Sequence, residues 1–283
     1  MTDHTEGPTL VLGGTGKTGR RVADRLLARG TPVRLGSRAG RPPFDWEASA
    51  TWAPALEGVD AAYVSYFPDL AAPGAPAAVG AFAALAADAG VRRLVLLSGR
   101  GEEEAQRAEG ALRAAGVDWT IVRASWFSQN FSESFLLEPV LGGKVALPVD
   151  GVPEPFIDAE DIADVAAAAL TEDGHANRLY EVTGPRLLTF AEAVEEIARA
   201  SGRPVRFVPV PLDEFAASMA RQGVPADVAA LMTYLFTEVL DGRNARVADG
   251  VRRALGREPR DFRDYARDAA ATGVWDAGVA VER

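Results

Sequence analysis

The chain contains no cysteine, which excludes disulfides, thiolate metal ligands and thiol nucleophiles together. Histidine is nearly absent: His4 sits in the N-terminal tail and His175 beside a predicted turn. Two such distant residues make neither a His-based metal centre nor a catalytic triad, and no metal is expected. Basic blocks are missing as well. A formal net charge of -10, spread along the chain, repels a phosphate backbone and argues against nucleic acid as a partner. The N-terminal "MTDHTEGP" lacks the charged-then-apolar layout of a signal peptide. The long uncharged run at 71–87 is mostly Ala and is broken by Pro73, Gly74, Pro76 and Gly80. It suits a loop leading into a buried helix rather than a membrane span, so a cytoplasmic protein is expected.

What is present is an ordinary globular composition, 48% hydrophobic and 25% charged over 283 residues, enough to bury a large core. The short β-prone run at 9–12 leads into a glycine turn. After it Val22, Ala23, Leu26 and Leu27 recur at helical spacing until Gly30, which predicts an amphipathic helix with a glycine stop. The alternation continues through "PVRLGS", "DAAYVSYF", an Ala-rich helix ending at Gly90, "RRLVLLSG", a helix over about 102–115 and "DWTIVR". Strands alternating with helices predict an α/β fold, a doubly wound parallel sheet of the Rossmann-like kind. The expected division is a nucleotide-binding domain over residues 1–150, completed by a strand at 178–184, and a smaller helix-rich substrate lobe over 151–283, lying over the carboxyl edge of the sheet where ligands of such sheets bind. In the second part "TFAEAVEEIARASG" predicts a helix whose Thr189 and Glu192 are spaced as a capping box, and another helix is expected from about Pro225 to Leu240.

The stretch "GGTGKTG", 13–19, admits two readings. A P-loop needs its first glycine five residues before Gly16, and that position is Val11, inside the first strand. A dinucleotide turn fits instead: Gly13 for the tight turn, Gly16 for close approach of the pyrophosphate, Gly19 for packing of helix on strand. Gly14 completes the turn. The amides from Thr15 to Thr18 then face the phosphates at the helix N-terminus, with Lys17 and the Thr15 and Thr18 hydroxyls nearby. A mere glycine turn is the plain alternative. An NAD site places an acid about 20 residues beyond the glycines, yet "PVRLGSRAGRPP" holds none. Ser37 and Arg38 stand there, and a guanidinium at that point can pair with the 2′-phosphate of NADP. NADP (NADPH) is the expected cofactor; a solvated cluster of Arg34, Arg38 and Arg41 is the plainer alternative.

With these features in place, "GGTGKTGRRV", "SRAGRPPFDWEASATWAPALEGVDAAYV", "GVDWTIVRASWFSQNF" and "PFIDAEDIADVAAAAL" give a chain that resembles the NmrA-like atypical short-chain dehydrogenase/reductases over nearly its whole length. The resemblance is to the branch with festuclavine and agroclavine dehydrogenases and quinone or azo reductases. It implies that Ser125, Trp126, Phe127 and Asn130 lie near cofactor or substrate and that Phe67, Pro68 and Ser98 border the cofactor. Plain core packing is the alternative for Trp126, Phe127 and Phe131. Typical short-chain dehydrogenases use Tyr-x-x-x-Lys for proton transfer, but the only lysines are Lys17 and Lys144, preceded four residues earlier by Gly13 and Val140. On the helix where the dyad would sit, Gln106 and Glu109 read as an exposed charged face, and no catalytic residue is assigned. Without a strong proton donor, suitable substrates are an imine, an iminium, a quinone or a similarly conjugated small molecule, whose reduced form is a neutral amine or a phenolate of pKa about 10. A non-catalytic NADP sensor or regulatory protein would equally lack the dyad. The oligomeric state is not legible.

Overall fold

The computed structural model describes residues 7–276, so His4 lies outside the described residues. The chain opens with β1 (Thr9–Leu12), α1 (Gly19–Ala28), β2 (Val33–Gly36), α2 (Trp52–Leu56), β3 (Ala61–Val64), α3 (Ala75–Asp88), β4 (Arg93–Gly99), α4 (Glu103–Arg113) and β5 (Asp118–Ala124). It continues with α5 (Asn130–Glu133), α6 (Leu137–Leu141) and β6 (Lys144–Leu147), then α7 (Ala159–Thr171) and β7 (Arg178–Val182). The remainder is α8 (Phe190–Ser201), β8 (Arg206–Pro209), α9 (Leu212–Arg221), α10 (Ala226–Tyr234), α11 (Gly250–Leu255) and α12 (Phe262–Ala271).

Two compact units share this chain. The first runs through Ala124 and takes back Ala159–Val182 and Asp249–Arg257; the second consists of Ser125–Asp158, Thr183–Ala248 and the chain from Glu258. The units therefore part at Ala124 and not at residue 150. The reason lies in packing: Phe131, Val140, Val145 and Phe156 share a core with Phe190, Ile197, Phe262 and Trp275, so the segment after β5 joins the later helices.

The first unit carries a parallel six-stranded sheet in the order β2-β1-β3-β4-β5-β7, a Rossmann-like arrangement. Alternation of side chains sends Leu10, Leu12, Ala62, Val64, Leu94 and Leu96 to one face, where they meet Phe82, Ala83, Ala108 and Leu112 of α3 and α4. Helices α1 and α7 cover the opposite face. β1 and β2 run outward in one direction and β3 restarts on the other side of β1, so the order reverses at β1, the switch point where such sheets bind ligands at their carboxyl ends.

In the second unit β6 pairs in parallel with β8, Lys144 opposite Arg206. The Thr189 and Glu192 capping box is present, with the Glu192 amide donating to Thr189 Oγ1 at 3.1 Å and the Thr189 amide to Glu192 Oε2 at 2.7 Å. The helix expected over 225–240 is α10 followed by a π-helical turn, Leu235–Val239. Among the described residues no helix is long and apolar enough to cross a membrane, and no group of three His, Asp or Glu could hold a metal ion.

Candidate dinucleotide site

The glycine turn is built from the strand outward. β1 is fully buried and ends at Leu12, after which Gly13 takes φ +65°, in the left-handed region. The Gly13 amide donates to Gly36 O at the end of β2 (3.2 Å), which ties the turn to the neighbouring strand. Gly14 is buried, and a Cβ there would lie 2.8 Å from Leu35 Cδ2. At Gly19 a Cβ would come within 2.2 Å of Gly13 O, so α1 meets the turn through backbone alone. Gly16 differs: a Cβ there would meet nothing nearer than Gly13 O at 3.2 Å.

Gly13, Thr15 and Gly16 are exposed and Lys17 half-buried, while Thr18 is buried at the start of α1 and makes no side-chain cap. The Gly16 amide is not available to a phosphate, because it donates inward to Gly13 O at 2.8 Å. Among the described residues the amides of Thr15 and Thr18 have no backbone acceptor. These amides, the positive end of α1 and Lys17 form an electropositive rim.

Arg34, within β2, differs from Arg38 and Arg41 beyond it, which are both exposed. Arg34 donates to Ala55 O (2.8 Å) and Glu57 O (2.7 Å), binding the end of α2 to the sheet. Arg38 is exposed and makes no hydrogen bond or ion pair among the described residues, and it follows Ser37, whose carbonyl accepts from the Gly40 and Phe44 amides at 2.9 Å each. The "FDW" and "TW" residues are structural. Phe44, Trp46 and Trp52 gather around Phe82 with ring centroids 5.4–6.1 Å from it, and the Trp52 indole donates to Asp45 O at 2.8 Å.

At the ends of β3, β4 and β5 the structure departs from expectation. Phe67 is 70% exposed and Pro68 exposed, but Ser98 is buried and donates to Glu109 Oε1 at 2.7 Å. Its hydroxyl hydrogen is committed to the interior. Glu109, read as a surface residue, is 1% exposed. It accepts from Arg123 through both oxygens, at 2.8 and 2.5 Å, and Arg100 donates to Glu181 at 2.9 Å beside it. Two carboxyls that sequence reasoning missed, Asp69 and Glu102, complete this edge. Burial lifts Asp69 above the usual carboxylate range against the pull of the Ala71 amide and Lys17. Burial also raises Glu102, well above that range, and the charges of Asp69 and Glu109 push the same way.

Ser125, Trp126 and Phe127 belong to the second unit. Ser125 is buried and its hydroxyl donates to Pro155 O at 2.6 Å, so it too is committed to the fold. Phe127 forms a parallel bridge with Ile157, fixed by the Ile157 amide on Trp126 O and the Ser128 amide on Ile157 O, both 2.8 Å. Trp126 is half-buried, its ring 5.6 Å from Phe190 and 5.1 Å from Phe236. Asn130 opens α5, and Phe131 is fully buried in the aromatic core.

The model of the NmrA-like family matches residues 104–266. The chain belongs to that family. An uncharacterized oxidoreductase, YesF, of Bacillus subtilis is 34% identical over 95% of this NmrA-like chain and 98% of its own. Agroclavine dehydrogenase of Claviceps fusiformis is 33% identical over 92% of this chain and 96% of its own. The fold is shared with the triphenylmethane reductase of a Citrobacter species, solved with NADP(H), at a TM-score of 0.73 and 20% identity over 93% of this chain and 99% of that one. This NmrA-like chain is an oxidoreductase.

Proposed function

We propose that this oxidoreductase is an NADPH-preferring reductase of small conjugated electrophiles, with a quinone, an imine or an iminium as the substrate class. The observation that carries the cofactor preference is Arg38: the end of β2 offers no acid to a ribose hydroxyl, and the exposed Arg38 directly follows Ser37 at that strand end, while Arg34 is committed to carbonyls and the exposed Arg41 lies three residues further on. The residues fit a dinucleotide. Gly16 leaves open space where a pyrophosphate approaches, the Thr15 and Thr18 amides and Lys17 supply donors, and Arg38 supplies a planar fork for a 2′-phosphate. When bound, the nicotinamide supplies hydride. The chain's part is to bind and orient it and to present the electrophile. That relatives include a dehydrogenase of agroclavine and an azoreductase supports substrates that accept hydride at a conjugated centre.

The test is a titration with NADPH and NADH by tryptophan fluorescence, followed by NADPH consumption with a panel of quinones and cyclic imines. Arg38→Ala is expected to weaken NADPH about 10- to 100-fold, as for loss of a charge-assisted bond, and NADH by less than twofold. Equal losses would sink the NADP assignment. Tight binding with no turnover across the panel would return the protein to a sensing role.

A further inference from the structure

Reduction of a quinone or a conjugated carbonyl leaves an anion that takes one proton, and the reductase reading on which this inference rests has so far named no donor. The hydroxyls of Ser98 and Ser125 are excluded, since each is buried and donates to Glu109 or Pro155 O. Both lysines lack the tyrosine that would make a dyad.

Glu102 stands where a donor would serve. β4 ends at Gly99, and Glu102 lies beyond it with extended backbone, φ -96° and ψ 117°, immediately before α4. Its side chain folds back over the strand end. A Cβ on Gly99 would lie 2.1 Å from Glu102 Oε1 and 2.3 Å from Oε2, so the carboxyl occupies the space that a side chain at Gly99 would fill. Only glycine there permits this seat. The carboxyl is half-buried and makes no hydrogen bond or ion pair among the described residues. Structural carboxyls in the same unit behave otherwise: Glu109 is gripped by Arg123, and Glu160 of α7 by Arg21 and Arg25 at 2.5 and 2.6 Å.

Two carboxyls act on it from two elements, and a lysine acts on one of them. Asp69 comes from the segment after β3, Glu109 from α4, and Lys17, on the glycine turn after β1, acts on Asp69. Arg123 and Arg113 neutralise Glu109, and no cation among the described residues is paired with Glu102 itself. A carboxyl in that setting holds its proton to a higher pH than a solvated glutamate does. It is at the carboxyl end of a central strand, on the edge that carries the glycine turn.

The geometry points to Glu102 as the proton donor to the reduced substrate. The electrophile accepts hydride and its two electrons; the Glu102 O–H bond breaks as the new O–H bond forms on the substrate anion. The carboxylate then regains a proton from water, so one proton is consumed per turnover.

The first readout does not depend on activity. Isotope-edited infrared spectra of the full chain without cofactor are expected to show a protonated carboxyl band at pH 7 that disappears in Glu102→Gln. Absence of that band at pH 6 and above would overturn the proposal. The second is the pH profile of NADPH-dependent 1,4-benzoquinone reduction. The wild-type kcat falls as pH rises through the raised Glu102 pKa, Glu102→Gln lowers kcat about 100-fold and removes that limb, and Glu102→Asp keeps the limb. A Glu102→Gln protein with wild-type kcat and the same limb would overturn the proposal while leaving the reductase reading intact. Failure of the wild-type chain to reduce any quinone overturns both and is told apart by that missing wild-type turnover.

Discussion

Gly16 and Gly19 differ in what a methyl group would meet. At Gly19 it would lie within 2.2 Å of Gly13 O and 2.7 Å of Gly13 C, backbone that cannot yield. At Gly16 it would lie 3.2 Å from Gly13 O with open space elsewhere. Gly19→Ala is therefore expected to destabilise the chain by about 2–3 kcal/mol, as overpacking does. Gly16→Ala should leave the thermal midpoint nearly unchanged and weaken NADPH at least tenfold. Thermal unfolding and a cofactor titration on both variants check this; equal loss of stability in the two would refute the separation of a packing glycine from a ligand glycine. At this scale the glycine turn was legible because its spacing falls between a strand and an amphipathic helix. Glu109 was misread amid the charges of "GEEEAQRAEG". A signal existed: Ala105, Ala108, Glu109 and Leu112 follow i, i+3, i+4, i+7, the stripe a helix buries. The burial of Ser98 could not be read without knowing that it donates to Glu109.

Buried charges join elements alongside apolar contact. Glu109 joins α4 to β4 through Ser98 and to β5 through Arg123. Glu109→Ala would leave the Arg123 guanidinium half-buried without its carboxylate. A loss of about 3 kcal/mol is expected, measured by chemical denaturation, and a loss below about 1 kcal/mol would show that water replaces the pair. Strands and helices of the first unit were legible from periodicity. β6 was not, since its four residues pair only with β8, a partner remote in sequence. The parting of the units at Ala124 was hidden for a related reason. Phe131 and Phe156 declare their unit only once packed against Phe190 and Phe262.

Across the whole molecule the ion pairs tie acids to arginine. Glu160 is lowered below the usual range by Arg25 and Arg21 against the cost of burial, Glu196 by Arg263 with Arg199 and Arg186, and Asp261 by Arg186. A carboxylate whose folded pKa is depressed contributes stability above its unfolded pKa and loses it as pH falls through the folded value. Stability should therefore decline below about pH 4.5. On the alkaline side these pairs persist, because arginine does not deprotonate in that range. Glu102 acts in the opposite sense: its raised pKa removes stability as pH climbs. Thermal midpoints at pH 4, 7 and 9 are expected to fall mainly at pH 4, and a larger fall at pH 9 would show that the arginine pairs do not dominate.

The near-monopoly of arginine has a practical corollary. Lys17 and Lys144 carry the only side-chain amines in the chain. One is half-buried on the rim of the glycine turn and the other exposed on β6. If the glycine turn holds the dinucleotide as proposed, an amine-acylating reagent has one reporter on that turn and one reference outside it. The ratio of the two modified peptides in a mass spectrum becomes a gauge of occupancy, free of any need to know the substrate.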